Sequence, residues 1–388
     1  MSVKRRKLPV RLIHAFTGNE KSGGILLIFC TVLSLVLANS STVGESYRHF
    51  WHASFAGGSP ELWINDGLMA VFFLLVGLEI KHEIYSGELS DIRKSMLPVV
   101  AALGGMVVPA LTHFLFNHGT ATSSGLGIPM ATDIAFSLGV LSLLGKKVPF
   151  SLKIFLTALA IIDDLGAIVV IALFYSSDFH FWWFMLAIAI FVLMLFLNKR
   201  KVDLTWPYLL LGALVWYALL NSGIHATIAG VLTAFALPYR KGSNLPSPSI
   251  RMMDVLEQPV AFFILPIFAM ANTAIFIDDH WQLNLLSLNS LGIEIGLVAG
   301  KPVGIILFSL LGVATGICRL PERVKFLSFT GVAMLAGIGF TMSIFISLLA
   351  FSSGQLQSDS KIAVLLASAI SALLGYFIVK ISLLKNED

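Results

Sequence analysis

Apolar residues run along this chain in long blocks, not in the short alternating pattern of a soluble domain. The blocks fall at about 12–39, 62–85, 96–116, 124–144, 150–175, 181–198, 205–220, 223–238, 255–277, 290–317, 326–350 and 362–384. Most hold about 20 residues, the length an α-helix needs to cross a bilayer. The pattern predicts an all-α polytopic membrane protein of about 12 transmembrane helices in a single domain over 1–388. The weakest division is Asn221-Ser222-Gly223, between the seventh and eighth blocks. The first block ends at Asn39-Ser40-Ser41 and many more follow, so it reads as a retained helix and not as a signal peptide. The longest polar stretch, about 40–60, is an outside loop, and its His49 and His52 read as loop residues, not metal ligands.

Charge tests this division. With the N-terminus placed in the cytoplasm, 23 of the 26 Lys and Arg fall on the inside. Arg48 and Lys361 fall outside, and Lys301 lies within a block. Such a bias is the mark of cytoplasmic loops, and it requires an even number of crossings with both termini inside. Composition agrees: 57% of residues are hydrophobic and 12% charged, where a soluble domain carries about 25% charged residues. The net charge of +4 gives no argument for nucleic acid. The partners expected are membrane lipid and small cations. Cys30 and Cys318 lie far apart and suggest neither a disulfide framework nor a metal site.

The few charges inside apolar blocks carry the chemistry. They are Asp66, Asp133, Asp163, Asp164 and Lys301, with Glu294 nearer an interface. An ionisable group at membrane depth costs roughly 2.5–3.5 kcal/mol on insertion scales and marks an ion or proton path by default. Asp163 and Asp164 are adjacent in the fifth block, so on a helix they point about 100° apart. One can face a cavity while the other faces a cation such as Lys301. Lys301 follows a ridge of Gly292, Gly296, Gly300 and Gly304 that allows close helix packing. Glu294 precedes it by seven residues, nearly the same face of a straight helix.

Two blocks look interrupted. Gly127, Pro129 and Thr132 surround Asp133 in the fourth, and Gly337, Gly339, Thr341 and Ser343 cluster in the eleventh. Each is the middle of a group of three, spans 3–5 and spans 10–12. Matched interruptions of this kind point to the binding site of a secondary transporter, where free helix ends and carbonyls line a polar cavity. Asp133 can balance the partial positive charge of half-helix N-termini there.

The stretches Trp63-Ile64-Asn65-Asp66, Leu74 to Glu79, Ala131-Thr132-Asp133-Ile134-Ala135, Ala158 to Gly166, Gly300-Lys301-Pro302 and Gly337 to Ser343 resemble the NhaA family of sodium/proton antiporters over nearly the whole chain. The resemblance implies two inverted three-helix repeats with discontinuous helices 4 and 11 crossing at mid-membrane. It implies a core bundle at about 96–175 and 290–384, with 12–85 and 181–277 as interface or scaffold. The implied activity is electrogenic, pH-regulated export of cytoplasmic Na+ or Li+ for external protons, two H+ per Na+, by alternating access. The transported ions Na+, Li+ and H+ are implied without any cofactor, and the implied location is the bacterial inner membrane.

Carried onto this chain, the resemblance makes Asp163 and Asp164 the ligands for Na+ or Li+, with Thr132 and Asp133 beside them. Lys301 pairs with Asp163 when no cation is bound. Gly127, Pro129, Gly337, Gly339 and Thr341 break the helices. Glu79, Lys81, Glu83, Arg251 and Asp254 form a pH-sensing cytoplasmic funnel, and Asp66 and His225 give support. Two features depart from the family. The ninth-helix segment Arg251 to Pro259 has no histidine, and His82 stands where arginine is common. The outside loop also looks short, so a homodimer is left open.

Three other readings compete: a sodium-coupled organic-anion symporter, an intramembrane aspartyl protease using Asp133 and Asp163, and a channel. The protease reading leaves Lys301 without a role and lacks a glycine-rich stretch before the acids.

Overall fold

A computed structural model describes residues 20–54, 57–175, 179–240, 247–278, 281–320 and 324–384. The basic N-terminal run from Lys4 to Arg11 and the residues before Glu20 lie outside the described residues. Among the described residues every regular element is helical. In order these are α1 (Glu20–Ala38), the short α2 (Gly44–His52), α3 (Pro60–Tyr85), α4 (Ile92–Asn117), a tight 3₁₀ run (Ser123–Met130) leading into α5 (Ile134–Leu143), and α6 (Phe150–Phe174). Then come α7 (Phe181–Lys199), α8 (Trp206–Leu220), α9 (Ile228–Ala236), α10 (Pro248–Asn272), α11 (Leu288–Ala314), α12 (Phe326–Ala336), α13 (Phe340–Ala350) and α14 (Gly354–Leu384).

Eight helices among the described residues are long and apolar enough to cross a membrane, and nine if α12 and α13 count as one bent span. The expected twelve is a larger number, and the shortfall has local causes. The early part of the first block lies outside the described residues. The seventh and eighth blocks hold α8 of 15 residues and α9 of only 9, with the chain from Asn221 to Thr227 spent on the turn between them.

Three helices, α3, α10 and α11, each contain one wide π-turn, at Ile64–Leu68, Val260–Ile264 and Gly296–Gly300. In α11 the turn comes just before Pro302, whose missing N–H frees a carbonyl one turn back, and the Lys301 N–H reaches five residues back to Gly296. The extra residue in that turn rotates Lys301 away from Glu294. The straight-helix expectation that both share a face therefore does not hold.

The glycine ridge of α11 packs on α4 as its spacing requires. A Cβ on Gly304 would lie 2.1 Å from the Gly104 carbonyl oxygen, and one on Gly104 would lie 2.2 Å from that of Gly304. Backbones meet where no side chain fits, which is how helices associate closely without a hydrophobic driving force. On the other side of the molecule α3 brings Phe73 against Phe345 of α13, ring centroids 5.5 Å apart, and Phe268 of α10 joins them at 6.5 Å. A second apolar cluster, with Tyr208 and Met194 at its centre, joins α3 to α7, α8 and α9. At the far end, His52 and Lys361 both reach Glu61, at 2.9 and 3.4 Å, and so tie α2, α3 and α14 together.

Candidate ion-binding site

The site forms where two interrupted helices cross. In the first, the 3₁₀ run containing Pro129 ends at Met130, and Ala131 and Asp133 are extended. In the second, the helix stops at Gly337 and restarts at Phe340 with a bend of 40°. Glycine is needed there by contact and not by backbone angle: a Cβ on Gly337 would lie 2.5 Å from the Leu297 carbonyl oxygen. Gly127 likewise lies against Tyr175, whose hydroxyl would be 2.8 Å from an added Cβ.

Each break supplies what the other lacks. The Asp133 N–H donates to the Ile338 carbonyl at 2.7 Å. Asp133 Oδ1 accepts the Phe136 N–H at 2.9 Å and so caps α5. Its Oδ2 accepts the Thr341 N–H at 3.1 Å and the Thr341 hydroxyl at 2.5 Å. The Ser343 hydroxyl donates to the Ile128 carbonyl at 2.6 Å. One carboxylate thus satisfies the exposed donors at two helix N-termini, where negative charge is favoured.

Asp163 and Asp164 on α6 are both buried, and they face different partners. Asp163 Oδ2 lies 2.8 Å from Lys301 Nζ and 2.7 Å from Thr132 Oγ1. Lys301, fully buried, also donates to the Met130 carbonyl freed by the first break. The Thr132 hydroxyl shares its one proton between Asp163 and the Ala336 carbonyl, 2.9 Å away. Asp164 instead lines a cavity of about 390 Å³ that Asp163 and Lys301 do not line. One oxygen of each acid, Asp163 Oδ1 and Asp164 Oδ1, is buried with no hydrogen-bond partner. Acceptors buried in this way are costly unless something fills them.

The cavity runs from Asp164, Asp133, Thr132 and Thr341 to a mouth at Glu79, His82 and Glu83 on α3 and Glu257 on α10. Its charged lining is acidic apart from His82. The expected funnel is therefore assembled only in part. Lys81 turns away from the cavity, and its buried ammonium donates to the carbonyls of Ala234, Phe235 and Leu237 at the end of α9. Arg251 and Asp254 are exposed on α10 and do not line the cavity. Asp66 and His225 also lie away from it. The Asp66 carbonyl accepts the Trp216 indole N–H, and His225 Nε2 is buried without a partner. Sequence reasoning left out Glu257, one turn beyond Asp254 on α10, which joins the mouth.

Comparison with known proteins agrees with this architecture. The family described as "Na+/H+ antiporter 1" matches residues 14–379. The chain belongs to that family. The Na(+)/H(+) antiporter NhaA of Dechloromonas aromatica is 56% identical over 364 residues, covering 93% of each chain. The Cytophaga hutchinsonii protein of the same name is 54% identical, with 96% of each chain covered. The Vibrio alginolyticus one is 45% identical over 97% of this chain and 99% of its own. Membership of the Na+/H+ antiporter family makes this a polytopic bacterial membrane transporter, and it decides against the intramembrane protease.

Proposed function

We propose that the chain exports cytoplasmic Na+ or Li+ in exchange for external protons, two protons for each metal ion. The observation that carries this reading is Asp164: a buried carboxylate with an unpartnered oxygen, open to an acid-lined cavity and next to the Asp163–Lys301 pair. The oxygens gathered here come from carboxylates, hydroxyls and carbonyls, which suit a small hard cation. Sodium takes the free oxygens of Asp164 and Asp163, with the Thr132 hydroxyl beside them. Asp133 holds the two helix breaks in register, and Lys301 balances Asp163 when no metal ion is present.

Exchange follows from exclusion. A buried carboxylate must have its charge met by a proton, a cation or a paired base. A metal ion on these oxygens displaces protons, and protons displace the metal ion. If the loaded site opens to alternate sides, the two fluxes are coupled without any further device. Two H+ in for one Na+ out moves one net charge inward, and each 100 mV of inside-negative potential then supplies about 2.3 kcal/mol. The helices around the site, about 96–175 and 290–384, act as the moving core, and 12–85 and 181–277 as the scaffold. The Lys/Arg bias supports a cytoplasmic location for both termini and, with them, for the cavity mouth, in the inner membrane. Activation at alkaline pH belongs to the mouth, with Glu79, Glu83 and Glu257.

The acidic lining speaks against an organic-anion symporter, since an anion entering past Glu79, Glu83 and Glu257 would meet like charge at every step. The decisive test is Asp164→Asn in everted vesicles, with fluorescence quenching as the readout. Sodium-dependent proton efflux should vanish while the protein stays inserted. Undiminished efflux would overturn the assignment.

A further inference from the structure

Six threonines in the helices or at their C-terminal ends follow one habit. The hydroxyls of Thr31, Thr112, Thr233, Thr273, Thr315 and Thr330 each donate to the carbonyl four residues back, at 2.7 to 3.0 Å. That is how a threonine side chain is satisfied inside a helix in an apolar medium. Thr157 on α6 departs from it. Among the described residues its hydroxyl has no hydrogen-bond partner, and the residue lines the cavity.

Its position gives the departure a use. Thr157 precedes Asp164 by seven residues on an unbroken helix, so the two share a face about 10 Å apart. α6 packs beside the Glu88–Ser90 turn that follows α3, and the cavity wall continues along α6 from Asp164 through Ile161 to Thr157, which places Thr157 between Asp164 and the mouth. An ion entering past the acidic mouth crosses a wall that is mostly apolar before it reaches Asp164. It must shed water on that path, and shedding is costly unless protein oxygens replace the lost ligands.

We propose that the Thr157 hydroxyl is a positioning ligand for incoming sodium. Directly or through one retained water, it holds the partly dehydrated ion between the mouth and Asp164. This rests on the exchange reading above and adds a residue that sets how readily the ion is captured. It acts on entry, not on the final bound state, so its loss should appear in KM more than in the maximal rate.

The test is sodium-dependent proton flux in proteoliposomes, titrated with Na+ at fixed pH, for T157V, T157A and T157S. Valine keeps the shape and removes the oxygen, alanine removes both, and serine keeps the oxygen. We expect T157V and T157A to raise the Na+ KM about three- to tenfold, with the maximal rate within about twofold of the parent, and T157S to restore KM to within about twofold. An unchanged KM in both T157V and T157A overturns the proposal. So does a T157S protein as weak as T157V, which would assign a packing role. Asp164→Asn separates this from the parent reading: it should fail at every sodium concentration, whereas T157V should approach the parent rate at high sodium. A parent protein with no sodium-dependent flux sinks both.

Discussion

Asp163 and Lys301 form a fully buried ion pair, and removing one member of such a pair is far more costly than removing both. Deleting the partner leaves an uncompensated charge, at about 3–5 kcal/mol, while an apolar replacement of the whole pair is often neutral. Lys301→Met should therefore lower thermal stability in detergent by several kcal/mol. The double variant Asp163→Asn with Lys301→Met should recover most of the loss yet remain unable to exchange ions. Melting followed by intrinsic fluorescence would check both. A single variant as stable as the parent would mean that the pair at 2.8 Å carries little of the fold. Asp133 illustrates the opposite case at the same scale. Both its oxygens are engaged by donors from α5 and α13, so its charge serves the helix breaks and leaves the free oxygens to Asp163 and Asp164.

Among the elements, the α4–α11 crossing fixes the depth at which Lys301 sits. Gly104 and Gly304 bring the two backbones together, and the methylene next to the Lys301 ammonium passes 3.8 Å from the Cβ position of Gly105. Gly304→Ala would place a carbon 2.1 Å from a backbone carbonyl oxygen, which no rotamer change relieves. The helices would have to move apart, at about 1–3 kcal/mol for overpacking of this kind. A lower melting temperature together with reduced sodium-dependent flux is the expected result, and an unaltered protein would show that the crossing tolerates separation. The spacing of these glycines was legible in the sequence. The π-turn at Gly296–Gly300 was not, because one extra residue in a helix leaves no trace in hydrophobic periodicity.

At the scale of the whole molecule, the cavity lies between α3 and α10 on one side and the two breaks with α6 on the other. Its mouth is near the Tyr85 end of α3, while Glu61, with His52 and Lys361, ties the opposite end of α3 to α2 and α14. A molecule open at one end and tied at the other is what exchange by alternating access needs in one of its two states. Competition for the site then fixes the sign of the pH dependence. On the proposed exchange, acidification loads the carboxylates with protons, so sodium affinity should fall as pH falls and rise as pH rises. Calorimetry should show an apparent Kd that increases about tenfold per unit fall in pH for each proton displaced. An affinity that stays flat with pH would remove the basis for coupling.

Much of this protein is dictated by its sequence alone. Long apolar blocks, the Lys/Arg bias, buried acids on the fifth block and two interrupted helices follow from the cost of placing polar groups in lipid, and that cost acts residue by residue along the chain. What the chain order could not decide is which polar groups meet. Asp163 and Asp164 are neighbours in sequence, but only packing turned one to Lys301 and Thr132 and the other to the cavity. Lys81 sits two residues from Glu79, yet the fold sends it to the end of α9 while Glu257, from a distant helix, takes a place at the mouth. Helix propensity and hydropathy are local quantities, whereas a site made from many helices depends on their mutual rotation and depth, which only the assembled bundle fixes.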